Sequence, residues 1–176
     1  NNSIIDDELV VANIFNSYFG SIAKEIDKKI PKPSNSYKNY LKNQNMHNLF
    51  LNAIEEKEII NIISSFDYKK ATGPNSIPTY VLKNFKHVLH IPLCKLINLS
   101  FTTGIFPSYH KIANIIPIYK KGDRLDCSNY RPISLLSNVG KIFEKAMHHR
   151  LYSFLDKYNC LFNKQFGFRD AHSTNH

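Results

Sequence analysis

Between Lys111 and Leu135 the chain reads as two short strands joined by a basic turn, and this ribbon is what most limits the folds open to it. Residues 111–119, Lys-Ile-Ala-Asn-Ile-Ile-Pro-Ile-Tyr, are rich in β-branched side chains, and Pro117 predicts an edge or a bulge. Lys120-Lys121-Gly122-Asp123 reads as a turn, Arg124 to Ser128 as a loop, and Tyr130 to about Leu135 as the second strand. Arg131 stands between an aromatic residue and Pro132, and a following proline drives a residue toward an extended backbone. One hairpin therefore carries Lys120, Lys121 and Arg131. A guanidinium fork matches phosphate oxygens and lysines add point charge, so the three suit a phosphate clamp. An Arg-Pro pair alone is more often structural; the nearby lysines tip the balance.

Elsewhere the period is helical, so the expected fold is α/β in the broad α+β sense, mostly helical with one small antiparallel hairpin. Ser3 to Ile30 reads as a helix with a buried stripe of Val11, Ile14, Phe15, Tyr18, Phe19, Ile22, Ala23 and Ile26, a capping pair of Ser3 and Asp6, and a stop at Pro31 and Pro33. Residues 31–50 lack a period and predict a linker. A second helix spans 55–66; Glu55, Glu56 and Glu58 suit its dipole better than a metal. Residues 79–90 and 92–103 predict two helices broken at Pro92, with Gly104 as cap and Cys94, Leu96, Ile97, Leu99 and Phe101 in the core. From Ser137 a long helix carries the stripe Val139, Ile142, Phe143, Ala146, Met147, Leu151, Phe154, Leu155 and Tyr158, closed by Asn159. Its other face presents Lys141, Lys145, His148 and His149, with Arg150 at the margin.

Charge separates the chain. Residues 1–67 hold 7 Lys against 9 acidic residues, whereas residues 68–176 hold 16 Lys and Arg against 5 acidic residues, within a net charge of +9. The basic part contains the ribbon and is expected to attract polyanions, nucleic acid first. Lys69 and Lys70 precede the turn Gly73-Pro74-Asn75-Ser76, which can present them to a nucleic-acid backbone or simply connect two helices. It has too few glycines for a P-loop. Near the end, Gly167 lies between Phe166 and Phe168, rings that stack on bases or fill a core. Cys94, Cys127 and Cys160 are far apart, which fits a reducing compartment and no disulfide or zinc framework. His148 and His149 are adjacent, and His172 and His176 lack a third ligand, so no metal site is expected. No apolar run is long enough for a bilayer, so no membrane partner is expected. The chain does not start with Met, which suggests a piece of something longer.

Several stretches follow one another in the order of a known family. They are Ala12 to Phe19, Lys70 to Pro78, Asn98 to Phe101 with Gly104 to Pro107, Lys111 to Ala113, Pro117 to Asp123, Asn129 to Leu136, Lys141 to Lys145, Arg150-Leu151, Gln165 to Arg169, and His172 to Thr174. Over nearly its whole length the chain resembles the front part of the reverse transcriptase (RNA-directed DNA polymerase) of non-LTR, LINE-type, jockey-like retrotransposons. The resemblance implies residues 1–50 as a helical arm and linker, similar to the connector from an upstream endonuclease. It implies residues 51–176 as the fingers of a right-hand polymerase, truncated before the palm motifs. The hairpin would be the fingertips that close on the nucleotide, with Arg131 and Lys120 or Lys121 on the triphosphate. Lys69, Lys70, Gly73, Gln165 and Arg169 would lie against nucleic acid. Asn75 stands where the family usually has Asp.

The implied partners are an RNA template, a DNA primer, a deoxynucleoside triphosphate, and the palm and thumb of the same polymerase, inside the cell in nucleus or cytoplasm. Nucleotidyl transfer in the complete polymerase uses Mg²⁺ held by paired carboxylates. After residue 67 the acids are scattered at Asp123, Asp126, Glu144, Asp156 and Asp170, and no Asp-Asp motif precedes His176. The expectation is therefore no catalytic residue, no metal and no cofactor in this stretch, and no polymerisation by it alone. The rival readings are a non-enzymatic nucleic-acid-binding module that kept the scaffold, and a decayed element fragment.

Overall fold

A computed structural model describes residues 4–40, 46–74, 76–169 and 172–173. Ser3, Asn75, Asp170, Thr174 and His176 lie outside the described residues, and with them the Ser3 cap, the Asn75 departure and the His172/His176 pair. The described residues form α1 (Glu8–Lys29), α2 (Glu56–Ser64), α3 (Thr79–Asn84), α4 (Lys86–Thr103), β1 (Asn114–Tyr119), β2 (Tyr130–Leu135) and α5 (Asn138–Lys157). Helix predominates and the one sheet is the antiparallel pair β1–β2, as an α+β reading requires. No helix among the described residues is long and apolar enough to cross a membrane. The chain divides into two compact units, residues 1–42 with 113–135, and residues 43–112 with 136–176.

The first unit holds α1 and the ribbon. α1 starts at Glu8, five residues later than the sequence suggests, because Asp7 is its cap: the Asp7 carboxylate accepts from the Val10 N–H at 2.9 Å. Its apolar stripe is half-buried at Val11, Phe15, Tyr18, Phe19 and Ile22, and none of its residues is fully buried. The ribbon pairs Asn114 with Leu135 through to Tyr119 with Tyr130. Residues 108–111 form a 3₁₀ turn, so β1 begins at Asn114 rather than Lys111. The Lys120 N–H donates to the Asn129 carbonyl at 2.9 Å, and alternation from that bond makes Pro117 opposite Pro132 a non-hydrogen-bonded pair. Neither proline therefore costs a bond between the strands; each instead removes an outward N–H from its strand's free edge.

The second unit is a helical core. Ile59, Ile62 and Ile63 of α2, Leu93 and Ile97 of α4, and Val139, Ile142, Phe143 and Ala146 of α5 pack with Ile54, Phe66 and Leu82. Pro92 does not break the helix; it lies inside α4, and the break falls at Phe85 (φ −104°, ψ 15°). Leu89, Leu93, Ile97 and Phe101 recur every four residues across the proline and share the core face. Burial of that row outweighs the hydrogen bond and ring clash that an interior proline costs, about 3 kcal/mol. Leu96 and Leu99, expected in the core, fall off this row and are exposed. Gly104 caps α4 with φ 68°, and Asn159 follows α5 in the same left-handed region with φ 50°.

Polar side chains fix the connections. Asn98 holds both backbone groups of Ile54, accepting from its N–H at 2.7 Å and donating to its carbonyl at 3.0 Å. The buried Asn138 amide donates to the Ile77 carbonyl and the Thr79 hydroxyl, and the Asn138 N–H donates to the Ser76 hydroxyl. The first-turn acids of α2 are paired: Glu56 with His90 at 3.2 Å, and Glu58 with Arg150 at 2.9 Å.

Candidate functional site

Strand alternation sorts the ribbon into two faces. Ile115, Pro117, Pro132 and Ser134 line a cleft with Phe15 and Phe19 of α1, and Tyr130 meets Phe15 edge-on at 4.9 Å. The other face carries Ile116, Ile118 and, one step on, Lys120, opposite Ile133, Arg131 and Asn129. Ile116, Ile118 and Ile133 are 40–49 % exposed there. Lys120 and Arg131 thus occupy diagonal positions on one open face, within reach of a single polyanionic group. Both are exposed, and neither has an ion pair among the described residues. Lys121 is exposed in the turn beyond the strand.

The loop between the strands restrains itself. The Tyr119 hydroxyl donates to the Gly122 carbonyl at 2.6 Å, the Tyr130 hydroxyl to the Arg124 carbonyl at 2.9 Å, and the Asn129 amide to the Asp123 carbonyl at 2.9 Å. Arg124 lies over the Tyr119 ring at 4.6 Å. The loop acids are occupied locally. Asp123 accepts from the Leu125 N–H, and Asp126 accepts from the Ser128 N–H and hydroxyl, bonds that hold its carboxyl below the usual range. No group of three possible metal ligands occurs among the described residues.

Gly122 sets the tip. Its φ is 94°, and a Cβ there would lie 2.7 Å from the Asn129 side-chain amide. Gly122→Ala is therefore expected to cost about 1–3 kcal/mol locally, the range for a non-glycine residue forced into such a conformation. Hydrogen exchange at the Lys120 amide should speed up by about 5- to 150-fold, the equivalent of that cost, while the amides of α5 keep wild-type rates.

The other residues singled out in the sequence lie in the helical unit. Lys69 and Lys70 are exposed on the turn after α2, whose backbone is held by Asp67: its carboxylate accepts from the Lys69 N–H at 3.0 Å. Gly73 is buried, and its N–H donates to the Leu136 carbonyl at 3.0 Å. Gln165 is exposed; Arg169 is half-buried, and its Nε has no hydrogen-bond partner among the described residues. Phe166 is half-buried and Phe168 fully exposed. The left-handed residue here is Phe168, φ 62°, and nothing lies within 4 Å of where a Gly167 Cβ would be. Arg150, which the sequence puts at the margin of a solvated face, instead turns inward to Glu58. Its place beside the apolar stripe was the only available signal.

No protein-family model matches the chain. It is similar to a probable RNA-directed DNA polymerase from transposon BS of Drosophila melanogaster, 34% identical over 122 residues, 69% of this chain and 14% of that protein. It is 33% identical over 136 residues to the RNA-directed DNA polymerase from mobile element jockey of the same species, 77% of this chain and 15% of that protein. The jockey polymerase of Drosophila funebris is 30% identical over 119 residues, 67% of this chain and 13% of that protein. The chain thus spans about a seventh of the length of the curated relatives it matches. Over the stretch that these relatives share with it, the chain belongs to the family of RNA-directed DNA polymerases of jockey-like non-LTR retrotransposons.

Proposed function

We propose that the chain is the nucleotide- and template-binding fingers part of an RNA-directed DNA polymerase. The carrying observation is the pair Lys120 and Arg131 on one open face of a ribbon in fixed register. The Arg131 fork donates two parallel bonds to phosphate oxygens, Lys120 adds a point charge beside it, and Lys121 extends the field at the turn. Their role is to orient the triphosphate and offset its charge. Asp123 and Asp126 stay ionised in the loop, and the four cations Lys120, Lys121, Arg124 and Arg131 outnumber them. Lys69, Lys70, Gln165 and Arg169 lie along the nucleic acid, the lysines through phosphate, and the buried Gly73 shapes the turn that follows the lysines. The complete polymerase adds the RNA template, DNA primer, palm and thumb. There Mg²⁺ would supply charge stabilisation for nucleotidyl transfer; the residues of this stretch bind and position.

Backbone binding releases counterions, so affinity for single-stranded RNA should fall with salt by about 0.7 log unit per log unit of salt for each phosphate neutralised. With several lysines and arginines engaged, a slope of about −2 or steeper is expected in a fluorescence-anisotropy titration. A slope near zero contradicts the reading.

A further inference from the structure

From the geometry we infer that a second basic site, in the helical unit, seats a phosphodiester of a single RNA strand. It is a cavity of about 360 Å³ between the end of α2, the turn after it and one face of α5. The inference rests on the template-binding reading, which already counts Lys70, and carries it onto α5.

Lys141 and Lys145 stand one turn apart on α5 and line the cavity with Lys70. Two of the three ammonium groups are already aimed. Lys145 Nζ donates to the Ser65 hydroxyl at 2.7 Å and lies 5.2 Å over the Phe66 ring. Lys141 Nζ donates to the Ala71 carbonyl at 3.3 Å and the Asn138 side-chain oxygen at 3.5 Å. An ammonium has three donors, so each keeps at least one for a ligand. None of the three lysines has an ion pair among the described residues.

Lys70 and Lys141 crowd one another. Burial holds Lys141 below the usual lysine range; Glu144 pulls it back, and Lys70 adds to the depression. Burial also raises Glu144 above the usual carboxylate range. A phosphate relieves the lysine repulsion and takes up the unused donors. Lys141 and Lys145 rise about 6 Å apart along the helix axis on one face, so both side chains can reach one phosphodiester. The fixed bonds to Ser65, Ala71 and Asn138 leave little side-chain entropy to lose on binding.

The test uses the full chain and a fluorescent oligouridylate. Lys145→Ala is expected to weaken binding about fivefold and flatten the salt slope by about 0.7, one phosphate's share. Glu144→Gln, which removes one of the two carboxylates that line the cavity, the other being Asp67, is expected to tighten binding two- to threefold. Lys24→Ala on α1 serves as the charge control and should change neither. Inorganic phosphate at millimolar concentration should compete only weakly. Equal affinity and slope for wild type, Lys145→Ala and Glu144→Gln, with RNA still bound, overturns the site but leaves the template reading standing. So does an RNA complex that millimolar phosphate fully disperses, which marks a free-anion pocket. No RNA binding by the wild type overturns both. Glu144→Gln leaves the lysine contacts intact, so the test survives if Lys145→Ala does not fold.

Discussion

Arg150→Ala is expected to lower the stability of the helical unit by about 3–5 kcal/mol, the cost of leaving one member of a desolvated ion pair behind. Arg150 is 11 % exposed and Glu58 27 %. The guanidinium bonds both Glu58 oxygens, at 2.9 and 3.1 Å, and reaches the carbonyls of Asn52, Ala53 and Ala146. It thereby ties the segment before α2 and the start of α2 to the middle of α5, and lies 5.2 Å from the Phe101 ring. Alanine leaves a half-buried carboxylate and several carbonyls without their donor. Arg150→Lys should recover a minor part, since an ammonium cannot bridge both carboxylate oxygens and the carbonyls together.

The pH dependence follows. Burial pushes the Glu58 carboxyl up, but bonds and charge from Arg150, aided by His149, bring it below its usual value. A depressed folded-state carboxyl contributes stability above the ordinary carboxylate range, about pH 4.3, and loses it as pH falls through the lower folded value. Wild-type stability should therefore drop in mild acid, and Arg150→Ala should remove most of that drop. Urea denaturation at neutral and acid pH checks both. A loss under 1 kcal/mol would mean that the pair is effectively solvated.

Arg131→Ala is the second large effect, and it falls on function. In a complete jockey-like polymerase carrying this ribbon, kcat/KM for the incoming nucleotide should fall about 10²-fold, the usual scale for losing one preorganised donor to developing charge. Arg131→Lys should recover only part, for want of the fork. Arg131 is exposed, so fold stability should move by no more than about 0.5 kcal/mol and lost activity cannot be traced to unfolding. Single-nucleotide primer extension provides the readout. Unchanged nucleotide affinity and rate would remove Arg131 from the triphosphate.

The sequence reveals most where a local rule and the tertiary structure agree. Tyr130–Leu135 is a strand as expected because an aromatic, a proline and the β-branched Ile133 all favour extension there. Gly104 ends α4 because its left-handed backbone suits glycine. Pro92 misleads because the rule for proline is local, whereas the row Leu89, Leu93, Ile97 and Phe101 gains its energy from the shared core, chiefly against α2. The Phe85 break carries no proline or glycine to announce it. Lys120 and Arg131 are legible as neighbours on a hairpin, but their common face depends on the register, set by the hydrogen-bonded loop from Lys120 to Asn129. Arg150 with Glu58, and Lys145 with Ser65, are far apart in sequence and meet only when the helices pack.

The open basic face of the ribbon is tested most directly by following backbone amide and arginine side-chain NMR signals of the full chain, titrated with a deoxynucleoside triphosphate and then with the matching nucleoside. The triphosphate should shift Ile118, Lys120 and the Arg131 Nε–H, and the nucleoside should leave all three in place. Equal shifts with both ligands, or triphosphate shifts confined to Val11, Phe15 and Phe19 on the covered side, would contradict a phosphate grip by Lys120 and Arg131.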